Sequence, residues 1–341
     1  MSKIKVGISI GDLNGIGLEI IIKTFKDSRM MEFCTPIVFG GTKVASKHRK
    51  AIEMQDFNFN IIQSVEDANP KKANMINLWD DDIEIKFGEA TSKSGELAFA
   101  SMKEASNALK NKDIDVLVTA PINKASIQER VSTFIGHTEF LSGNFEGEAL
   151  MIMVSEIMKI AFVTGHVPLS EIKKSITINN IIKKSRQLNT SLIEDFGVRK
   201  PKIAILGLNP HAGEEGLLGN EENESIIPAI KKLKESGVLA FGPYPADSFF
   251  TNKNLQKFDG ILSMYHDQGL TAFKTLSFSD GINYTAGLKI IRTSPVHGTA
   301  YEIAGKGIAN EQSFREAVFL ACNIHKKRKE YIELNTNPLS I

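Results

Sequence analysis

Short runs of β-branched and other apolar residues alternate with longer segments in which apolar residues recur at helical spacing. This alternation is typical of βα units on a largely parallel sheet. Runs of the first kind predict strands over Ile4–Ile10, Pro36–Gly40, Asp115–Thr119, Ile160–Thr164, Lys202–Leu206 and Gly260–Met264. Segments of the second kind predict helices over Leu18–Phe25, Glu96–Leu109, Asn179–Ile193, Glu224–Ser236 and Ser313–Ile324. The pattern therefore predicts the α/β fold class.

The length of the chain predicts two lobes. At 341 residues it exceeds the roughly 250–300 residues at which a single hydrophobic core stops growing. The count of βα units places a boundary near residue 130, with 1–130 and 305–341 as the first lobe and 131–304 as the second. The segment Phe57–Phe87 contains two or three more short strands, which predict an edge or an antiparallel extension of the first sheet.

The bulk composition excludes several classes of protein. A net charge of +1 gives no broad basic surface for nucleic acid or an anionic membrane. The basic tract Lys326–Lys329 lies late in an amphipathic segment and is predicted to be a solvated helix end. Two cysteines exclude a disulfide scaffold and a Cys-based zinc module, and they favour a reducing compartment. With no apolar segment of about 18 residues and no signal peptide expected, we predict a cytoplasmic protein without membrane partners.

Three histidines follow predicted strands. His166, His211 and His266 each stand in the polar turn after an apolar run, and parallel sheets bind ligands beyond the carboxyl ends of their strands. Neutral imidazole is a common ligand for zinc and similar ions, and three of them leave one position open for substrate. Each histidine alone is also typical of a hydrogen-bonded loop residue, but the repeated placement favours a divalent metal site. By contrast, His48 and His325 lie in Lys/Arg-rich helical segments and are predicted to be solvated.

Other polar residues lie near the same predicted strand ends. Asp267 directly follows His266, and three roles stay open for it: orienting a ligand, acting as an acid or base, or capping a helix. The segment Gly136–Glu139 opens a predicted helix, where free N–H groups favour an anion, although a simple N-cap role for Thr138 is an alternative.

A lysine, an asparagine and an arginine follow in Gly-rich, otherwise apolar sequence. Lys274, Asn283 and Arg292 are of the residue types that bind a phosphate or a carboxylate, and a planar guanidinium suits two-pronged contact. The earlier glycine-rich stretch Gly11–Gly17 lacks the spacing of a dinucleotide-binding or phosphate loop. It therefore predicts a tight turn that lets the backbone pass close to a neighbouring segment.

Six segments together resemble the 4-hydroxythreonine-4-phosphate dehydrogenases of vitamin B6 biosynthesis. The resemblance covers nearly the whole chain, in the family's order, and rests on Gly11-Asp-Leu-Asn-Gly-Ile-Gly-Leu-Glu19, Thr119-Ala-Pro-Ile-Asn-Lys124, Gly136-His-Thr-Glu-Phe140, Gly207-Leu-Asn-Pro-His-Ala-Gly-Glu214, Tyr265-His-Asp-Gln-Gly269 and Arg292-Thr-Ser-Pro-Val-His-Gly-Thr-Ala300. It implies a two-lobed α/β/α fold like that of isocitrate and isopropylmalate dehydrogenases, with the active site in the cleft between the lobes. It also implies a homodimer whose partners share each active site.

The resemblance also implies roles for individual residues. It implies that one divalent ion, zinc, magnesium or cobalt, is bound by His166, His211 and His266. The substrate contacts that it implies are His137, Thr138, Lys274, Asn283 and Arg292. Asp247, Asp267 and Lys274 are the catalytic candidates, and NAD, or alternatively NADP, is expected near Gly287 and Thr293.

The implied reaction is oxidation of the C3 hydroxyl of 4-phosphooxy-L-threonine by NAD, followed by loss of CO2 to give 3-amino-2-oxopropyl phosphate. A dehydrogenase for D-threonate or D-erythronate 4-phosphate is the nearest alternative. A non-redox acyl phosphotransferase on the same fold and a metal-dependent hydrolase also stay open. The sequence departs from the family's usual pattern at Leu13-Asn14, Leu18, Lys289 and Val296, and the last replaces an aspartate that usually precedes the residue here numbered His297.

Overall fold

The computed structural model describes residues 3–336 and contains two compact units. The first unit consists of the segment that ends at Gly147 together with Leu288–His325, and the second consists of Glu148–Gly287 together with the segment that begins at Lys326. Alternating strands and helices make up both units, so the predicted α/β class is confirmed. The closer likeness to isocitrate dehydrogenases stays a prediction.

The helices and strands follow in regular alternation along most of the chain. The strands are β1 Ile4–Ser9, β2 Cys34–Gly40, β3 Asn60–Ile62, β4 Asn74–Asn77, β5 Val116–Thr119, β6 Gly147–Val154, β7 Lys159–Phe162, β8 Lys202–Leu206, β9 Leu239–Tyr244, β10 Gly260–Ser263, β11 Ile282–Leu288 and β12 Arg292–Pro295. The helices are α1 Gly17–Lys26, α2 Met30–Phe33, α3 Thr42–Ala51, α4 Ser92–Lys110, α5 Lys124–Gln128, α6 His137–Asn144, α7 Leu169–Ser175, α8 Ile178–Glu194, α9 Ile227–Glu235, α10 Ala246–Phe249, α11 Asn252–Leu255, α12 His266–Ser277 and α13 Gln312–Thr336.

The first unit is built on parallel strands in the order β3-β4-β2-β1-β5-β12. The central strands β1, β2 and β5 are apolar and almost wholly buried, which is expected when helices cover both faces of a parallel sheet. The segment 57–87 supplies β3 and β4 at the edge, as one of the two sequence-based alternatives predicted. These edge strands pair in parallel with their neighbours and not in antiparallel fashion.

The boundaries of the first unit differ from those expected from the sequence. Residues 131–147 and 288–304 had been placed in the second lobe but belong to the first unit, and the segment from Lys326, placed in the first lobe, belongs to the second unit. One reason is that Phe134 and Phe140 pack with Phe99 of α4, with ring centroids 5.7 and 5.6 Å from that of Phe99. The other is that β12 pairs with β5, with Thr293 opposite Val118. The count of βα units could not reveal either long-range contact.

The second unit has the strand order β11-β6-β7-β10-β8-β9. Strands β7, β10, β8 and β9 run parallel, whereas β6 pairs with β7 in antiparallel fashion. The three strands that precede His166, His266 and His211 are therefore direct neighbours, with β10 in the middle. Because neighbouring parallel strands end at the same edge of a sheet, the turns after them lie side by side.

The glycine-rich loop after β1 is a tight turn, as predicted. Gly11 has a φ of +70°, and a Cβ atom at this position would lie 2.2 Å from the carbonyl oxygen of Pro121. A Cβ atom at Gly17 would lie 2.3 Å from the carbonyl oxygen of Ile10. Both positions therefore exclude a side chain, and the glycines serve close backbone packing.

His48 was predicted to be solvated, and that prediction is wrong. Its side chain is fully buried, with Nε2 2.7 Å from the carbonyl oxygen of Leu13 and the ring packed edge-on against Phe87. His48 shares the inner face of α3 with the buried residues Val44 and Ala45, because residues three and four apart lie on one face of a helix. Burial lowers the pKa of His48 to about 4.

The basic tract near the C-terminus is only in part the solvated helix end that was predicted. Lys326, Lys327 and Lys329 are exposed, but Arg328 donates hydrogen bonds from Nε to Asp195 Oδ1 at 2.6 Å and from a terminal nitrogen to the Tyr284 hydroxyl at 2.9 Å. The Tyr284 hydroxyl in turn donates to Asp195 Oδ2 at 2.7 Å. Arg328 therefore anchors the end of α13 to β11 and to the end of α8 within the second unit.

The two cysteines do not form a disulfide bond with each other. Cys34 and Cys322 are both free and buried. Within residues 3–336, no helix combines the length and the apolar character that crossing a lipid bilayer requires.

Candidate metal and substrate site

Two of the three predicted metal ligands lie next to each other. His166 follows β7, His266 begins α12 just after β10, and their ring centroids are 5.1 Å apart with the planes inclined by 43°. His166 is exposed and His266 is half-buried. Two neighbouring imidazoles at the carboxyl ends of adjacent parallel strands are a chemically suitable start for a divalent metal site.

The turn after β10 is tied to the turns after both neighbouring strands. The Thr164 hydroxyl, two residues before His166, donates to the carbonyl oxygen of Met264 at 3.0 Å. The Gln268 side chain accepts a hydrogen bond from the Met264 amide at 2.8 Å and donates one to the carbonyl oxygen of Gly207 at 2.7 Å. Through Met264 and Gln268, these three contacts link the starting points of all three histidine-bearing segments.

His211 lies in the exposed loop that follows β8. In residues 3–336, no three His, Cys, Asp or Glu side chains are arranged as a group that could hold a metal ion. The donor set fits a divalent ion in its chemistry and in the order of its strands. The convergence of the third imidazole with the other two stays a prediction.

Asp267 contacts the neighbouring histidine ring. Its Oδ1 lies 2.6 Å from His266 Nδ1, and the carboxylate is largely exposed. Tyr265 occupies the N-cap position of α12, so Asp267 does not cap this helix. A carboxylate on Nδ1 orients the ring and leaves Nε2 as the nitrogen that can bind an ion.

The other predicted residues of the second unit lie on three different elements. Lys274 is exposed on α12, and Asp247 is exposed on α10. Asn283 lies on β11, and its Oδ1 is buried without a hydrogen-bond partner among the described residues. Gly287, also on β11, has a φ of +79°, and a Cβ there would lie 2.2 Å from the carbonyl oxygen of Glu148. Among these residues, the buried amide oxygen of Asn283, with no partner in the described part of the chain, is the best suited to contact a bound ligand.

In the first unit, Arg292 and His137 form part of a cluster of basic residues. Arg292 is 2% exposed and donates two hydrogen bonds to the Thr119 hydroxyl, at 3.0 Å from Nε and 2.6 Å from a terminal nitrogen. His137 begins α6, and its Nε2 is buried without a partner among the described residues. Burial, Arg292 and Lys124 hold the pKa of His137 well below its ordinary value, so its ring is neutral at pH 7.

Lys124 is a residue of this cluster to which the sequence analysis gave no role. A Cβ atom at Gly136 would lie 3.3 Å from Lys124 Nζ and 2.8 Å from Glu139 Oε2, so both side chains reach the start of α6. Lys124 ends the segment Thr119–Lys124 on which the family resemblance partly rests, and that was the available signal. Arg292 and Lys124 lie near a neutral imidazole whose Nε2 has no partner among the described residues, with Glu139 as the nearby carboxylate. The two cations suit the binding of an anion.

Thr138 and Thr293, two further predicted residues of the first unit, lie in different settings. Thr138 is half-buried, and Gly136, not Thr138, occupies the N-cap position of α6, without any side-chain cap. The hydroxyl of Thr293 is fully buried and donates to the carbonyl oxygen of Ala317 in α13 at 2.7 Å. That hydroxyl is therefore used in packing α13 onto β12.

Three positions that depart from the resembled family have local structural roles. Asn14 donates from Nδ2 to the carbonyl oxygen of Glu89 at 2.8 Å and accepts from the Lys86 amide at 3.0 Å, which fastens the segment before α4. Lys289 is exposed and pairs with Glu146. Val296 is half-buried, and its amide donates to the Ser313 hydroxyl at 3.1 Å.

The chain is similar over most of its length to one family of biosynthetic proteins and to several dehydrogenases. The family model described as pyridoxal phosphate biosynthetic protein PdxA matches residues 32–321. The chain is 46% identical to a 4-hydroxythreonine-4-phosphate dehydrogenase from Bacteroides thetaiotaomicron, with 99% of this chain and 93% of the relative covered. It is 38% identical to a putative D-threonate 4-phosphate dehydrogenase from Oceanobacillus iheyensis, with 94% and 97% covered. A crystal structure of 4-hydroxythreonine-4-phosphate dehydrogenase from Klebsiella pneumoniae matches with a TM-score of 0.80 at 32% identity, covering 95% of this chain and 98% of that one.

Proposed function

This chain belongs to the PdxA family of pyridoxal phosphate biosynthetic proteins, and we propose that it is a 4-hydroxythreonine-4-phosphate dehydrogenase. In this proposal it oxidises the C3 hydroxyl of 4-phosphooxy-L-threonine with NAD, or alternatively NADP, and releases CO2 to give 3-amino-2-oxopropyl phosphate. We further propose that it works in the cytoplasm as a homodimer whose subunits share their active sites.

One observation carries the chemical part of the proposal. The turns with His166, His266 and His211 follow three adjacent parallel strands, and the first two rings are 5.1 Å apart. We propose that these three residues hold one zinc, magnesium or cobalt ion, which would lower the pKa of a bound hydroxyl and polarise a ketone. Acyl transfer to phosphate requires no such ligand set, which counts against the acyl phosphotransferase alternative.

The remaining predicted residues take substrate-binding and proton-handling roles in this proposal. Arg292 and Lys124 supply positive charge for the substrate's anionic groups, while the neutral ring of His137 offers a hydrogen-bonding nitrogen beside them. Thr138 and Asn283 are proposed as polar contacts to the same substrate. Binding of the substrate's phosphate holds the reacting carbon in position. Less entropy then has to be lost in the chemical step, because the remote contact has already ordered the substrate.

Acid–base and cofactor residues complete the set of proposed contacts. Asp267 orients the His266 ring through Nδ1 and is, with Lys274 and Asp247, a proposed group for proton transfer. Gly287 and Thr293 mark the segment where we propose that the nicotinamide cofactor binds. Since the Thr293 hydroxyl already bonds to Ala317, its contribution would come from its main chain.

The second candidate function is the dehydrogenation of D-threonate or D-erythronate 4-phosphate. Two observations favour keeping it: relatives named putative D-threonate 4-phosphate dehydrogenase are 37–38% identical to this chain, and Val296 stands where the resembled family usually has an aspartate. These substrates differ from 4-phosphooxy-L-threonine in lacking its amino group, so the same metal and phosphate contacts would serve them.

An assay of NADH formation with each phosphorylated substrate separates these functions. The proposal predicts the highest kcat/KM with 4-phosphooxy-L-threonine, together with stoichiometric CO2. A higher kcat/KM with D-threonate or D-erythronate 4-phosphate would favour the second candidate. Substrate turnover without any nicotinamide cofactor would contradict both and would favour a hydrolase.

A further inference from the structure

The loop that carries His211 has an unusual backbone. Five successive residues, His211–Glu215, have φ values of 53, 53, 83, 41 and 55°, and only the third of them is glycine. Residues with a Cβ atom disfavour this left-handed region, and they seldom occupy it in succession. Such a conformation persists only where surrounding contacts hold it. The loop therefore needs a partner outside itself.

The buried carboxylate of Glu222 bonds to the loop just before this stretch and lies against Gly213 within it. Glu222 is 2% exposed and begins a π-helical turn, Glu222–Ile226, just before α9. Its Oε1 accepts hydrogen bonds from the main-chain amides of Leu208, at 2.7 Å, and Asn209, at 2.8 Å. Its Oε2 accepts from the Asn209 side chain at 2.9 Å. Hydrogen bonds from amides to a buried carboxylate are among the stronger ones in proteins.

Two glycines of the loop enclose the same carboxylate. A Cβ atom at Gly213 would lie 2.7 Å from Glu222 Oε2, and one at Gly207 would lie 3.2 Å from Oε1. The Gly207 position would also bring a Cβ atom within 2.9 Å of Ala212 Cα. Glu222 is thus seated against the loop on both sides of His211, and its backbone contacts begin three residues before that histidine. π-Helical turns frequently occur at functional sites.

We propose that Glu222 is a positioning residue that fixes the loop so that His211 can bind the metal ion. This inference rests on the proposed function, because it concerns the same metal site. Glu222 acts on His211 through the amides of Leu208 and Asn209, which bond to its carboxylate. Partners of this kind commonly change metal affinity by about 10–100-fold when they are removed.

The neighbouring residue Glu221 provides a matched control. Glu221 is also a largely buried carboxylate, and it accepts a hydrogen bond from the Asn209 side chain at 2.7 Å. Its other partner is Lys173 of α7, and no main-chain amide of residues 207–216 donates to it in the described structure. Loss of its charge should therefore leave the backbone of the loop in place.

The experiment measures zinc binding to the metal-free full-length protein by calorimetry. Glu222→Ala should raise the Kd for zinc about 10–100-fold, whereas Glu221→Gln should change it by less than about 3-fold. Glu222→Gln should fall between Glu222→Ala and the wild type, because its amide oxygen can still accept from Leu208 and Asn209. Should Glu222→Ala fail to fold, the Glu222→Gln variant carries the test and must weaken zinc binding more than Glu221→Gln does.

A spectroscopic readout separates positioning from general destabilisation. In protein labelled with 15N-histidine, zinc should shift the His166, His211 and His266 ring signals of the wild type, but in Glu222→Ala the shift of His211 should be selectively reduced. Wild-type zinc affinity in Glu222→Ala, or equal weakening by Glu221→Gln and Glu222→Gln, would overturn the inference. The His211→Ala variant separates failure of the metal-site proposal from failure of the Glu222 proposal. If His211→Ala binds zinc like the wild type, the proposed metal site is wrong. If His211→Ala loses zinc binding but Glu222→Ala binds zinc normally, only the role of Glu222 is refuted.

Discussion

The buried imidazole of His48 predicts a loss of stability in mild acid. In the folded protein Nε2 lies 2.7 Å from the carbonyl oxygen of Leu13, and Nδ1 is buried without a partner in the described part of the chain. A second proton on the ring would be buried without an acceptor among the described residues. Burial therefore lowers the pKa of His48 to about 4, while in the unfolded chain it should be about 6.5.

The size and sign of the effect follow from these two pKa values. Above pH 6.5 the ring is neutral in both states, so it adds no pH dependence. Between pH 6.5 and about 4 the unfolded state binds a proton that the folded state does not, so stability falls as the pH falls. At about 1.36 kcal/mol for each pH unit, His48 should account for a loss of about 2 kcal/mol between pH 7 and pH 5.

Urea unfolding of the wild type and of His48→Gln measures this loss. Trp79 is the single tryptophan, and it lies beside Gly41 just before α3, so its fluorescence reports on the unit that contains His48. Glutamine can still donate to Leu13 but does not titrate, so the variant should lose about 2 kcal/mol less than the wild type on going from pH 7 to pH 5. Both proteins should behave alike between pH 7 and pH 8. If the two proteins lost stability equally between pH 7 and pH 5, His48 would not be the group that titrates.

Two further predictions concern buried charges. Arg292→Lys should raise KM for the phosphorylated substrate by an amount equivalent to about 1–3 kcal/mol, because an ammonium cannot reproduce the contacts of a planar guanidinium bonded to Thr119. Steady-state kinetics measure this change. An unchanged KM would remove Arg292 from the site. Asp195→Asn should reduce the free energy of unfolding by about 3–5 kcal/mol, because it leaves the charge of Arg328 without its carboxylate in a buried network. Tyr284→Phe should cost only about 1 kcal/mol, so equal losses in urea unfolding would contradict this account.

The sequence allowed good prediction wherever local pattern decides structure. The buried strands of both units read as continuous apolar runs, and β1, predicted over Ile4–Ile10, spans Ile4–Ser9. The proximity of His166 and His266 followed from the rule that turns after parallel strands share one edge of the sheet. Strand β12, Arg292–Pro295, was not predicted, because a short strand containing Arg, Thr, Ser and Pro has no clear apolar run.

The features that were missed depend on contacts between distant residues. Lysines and an arginine are the sequence neighbours of His48, and only the packing of α3 shows that its side chain faces inward. Residues 131–147 join the first unit through the aromatic contacts of Phe134 and Phe140 with Phe99. The role of Glu222 could not be read from the sequence, because a glutamate near a helix start is usually solvated. Its burial and its two amide partners appear only in the folded chain.

X-ray absorption at the zinc edge shows whether three imidazoles that follow separate strands meet at one cation. For the protein loaded with one zinc ion, we expect three imidazole nitrogens at about 2.0–2.1 Å. In His211→Ala we expect two such nitrogens and weaker binding. A spectrum and an affinity that stay the same when His211 is removed would mean that His211 does not bind the ion.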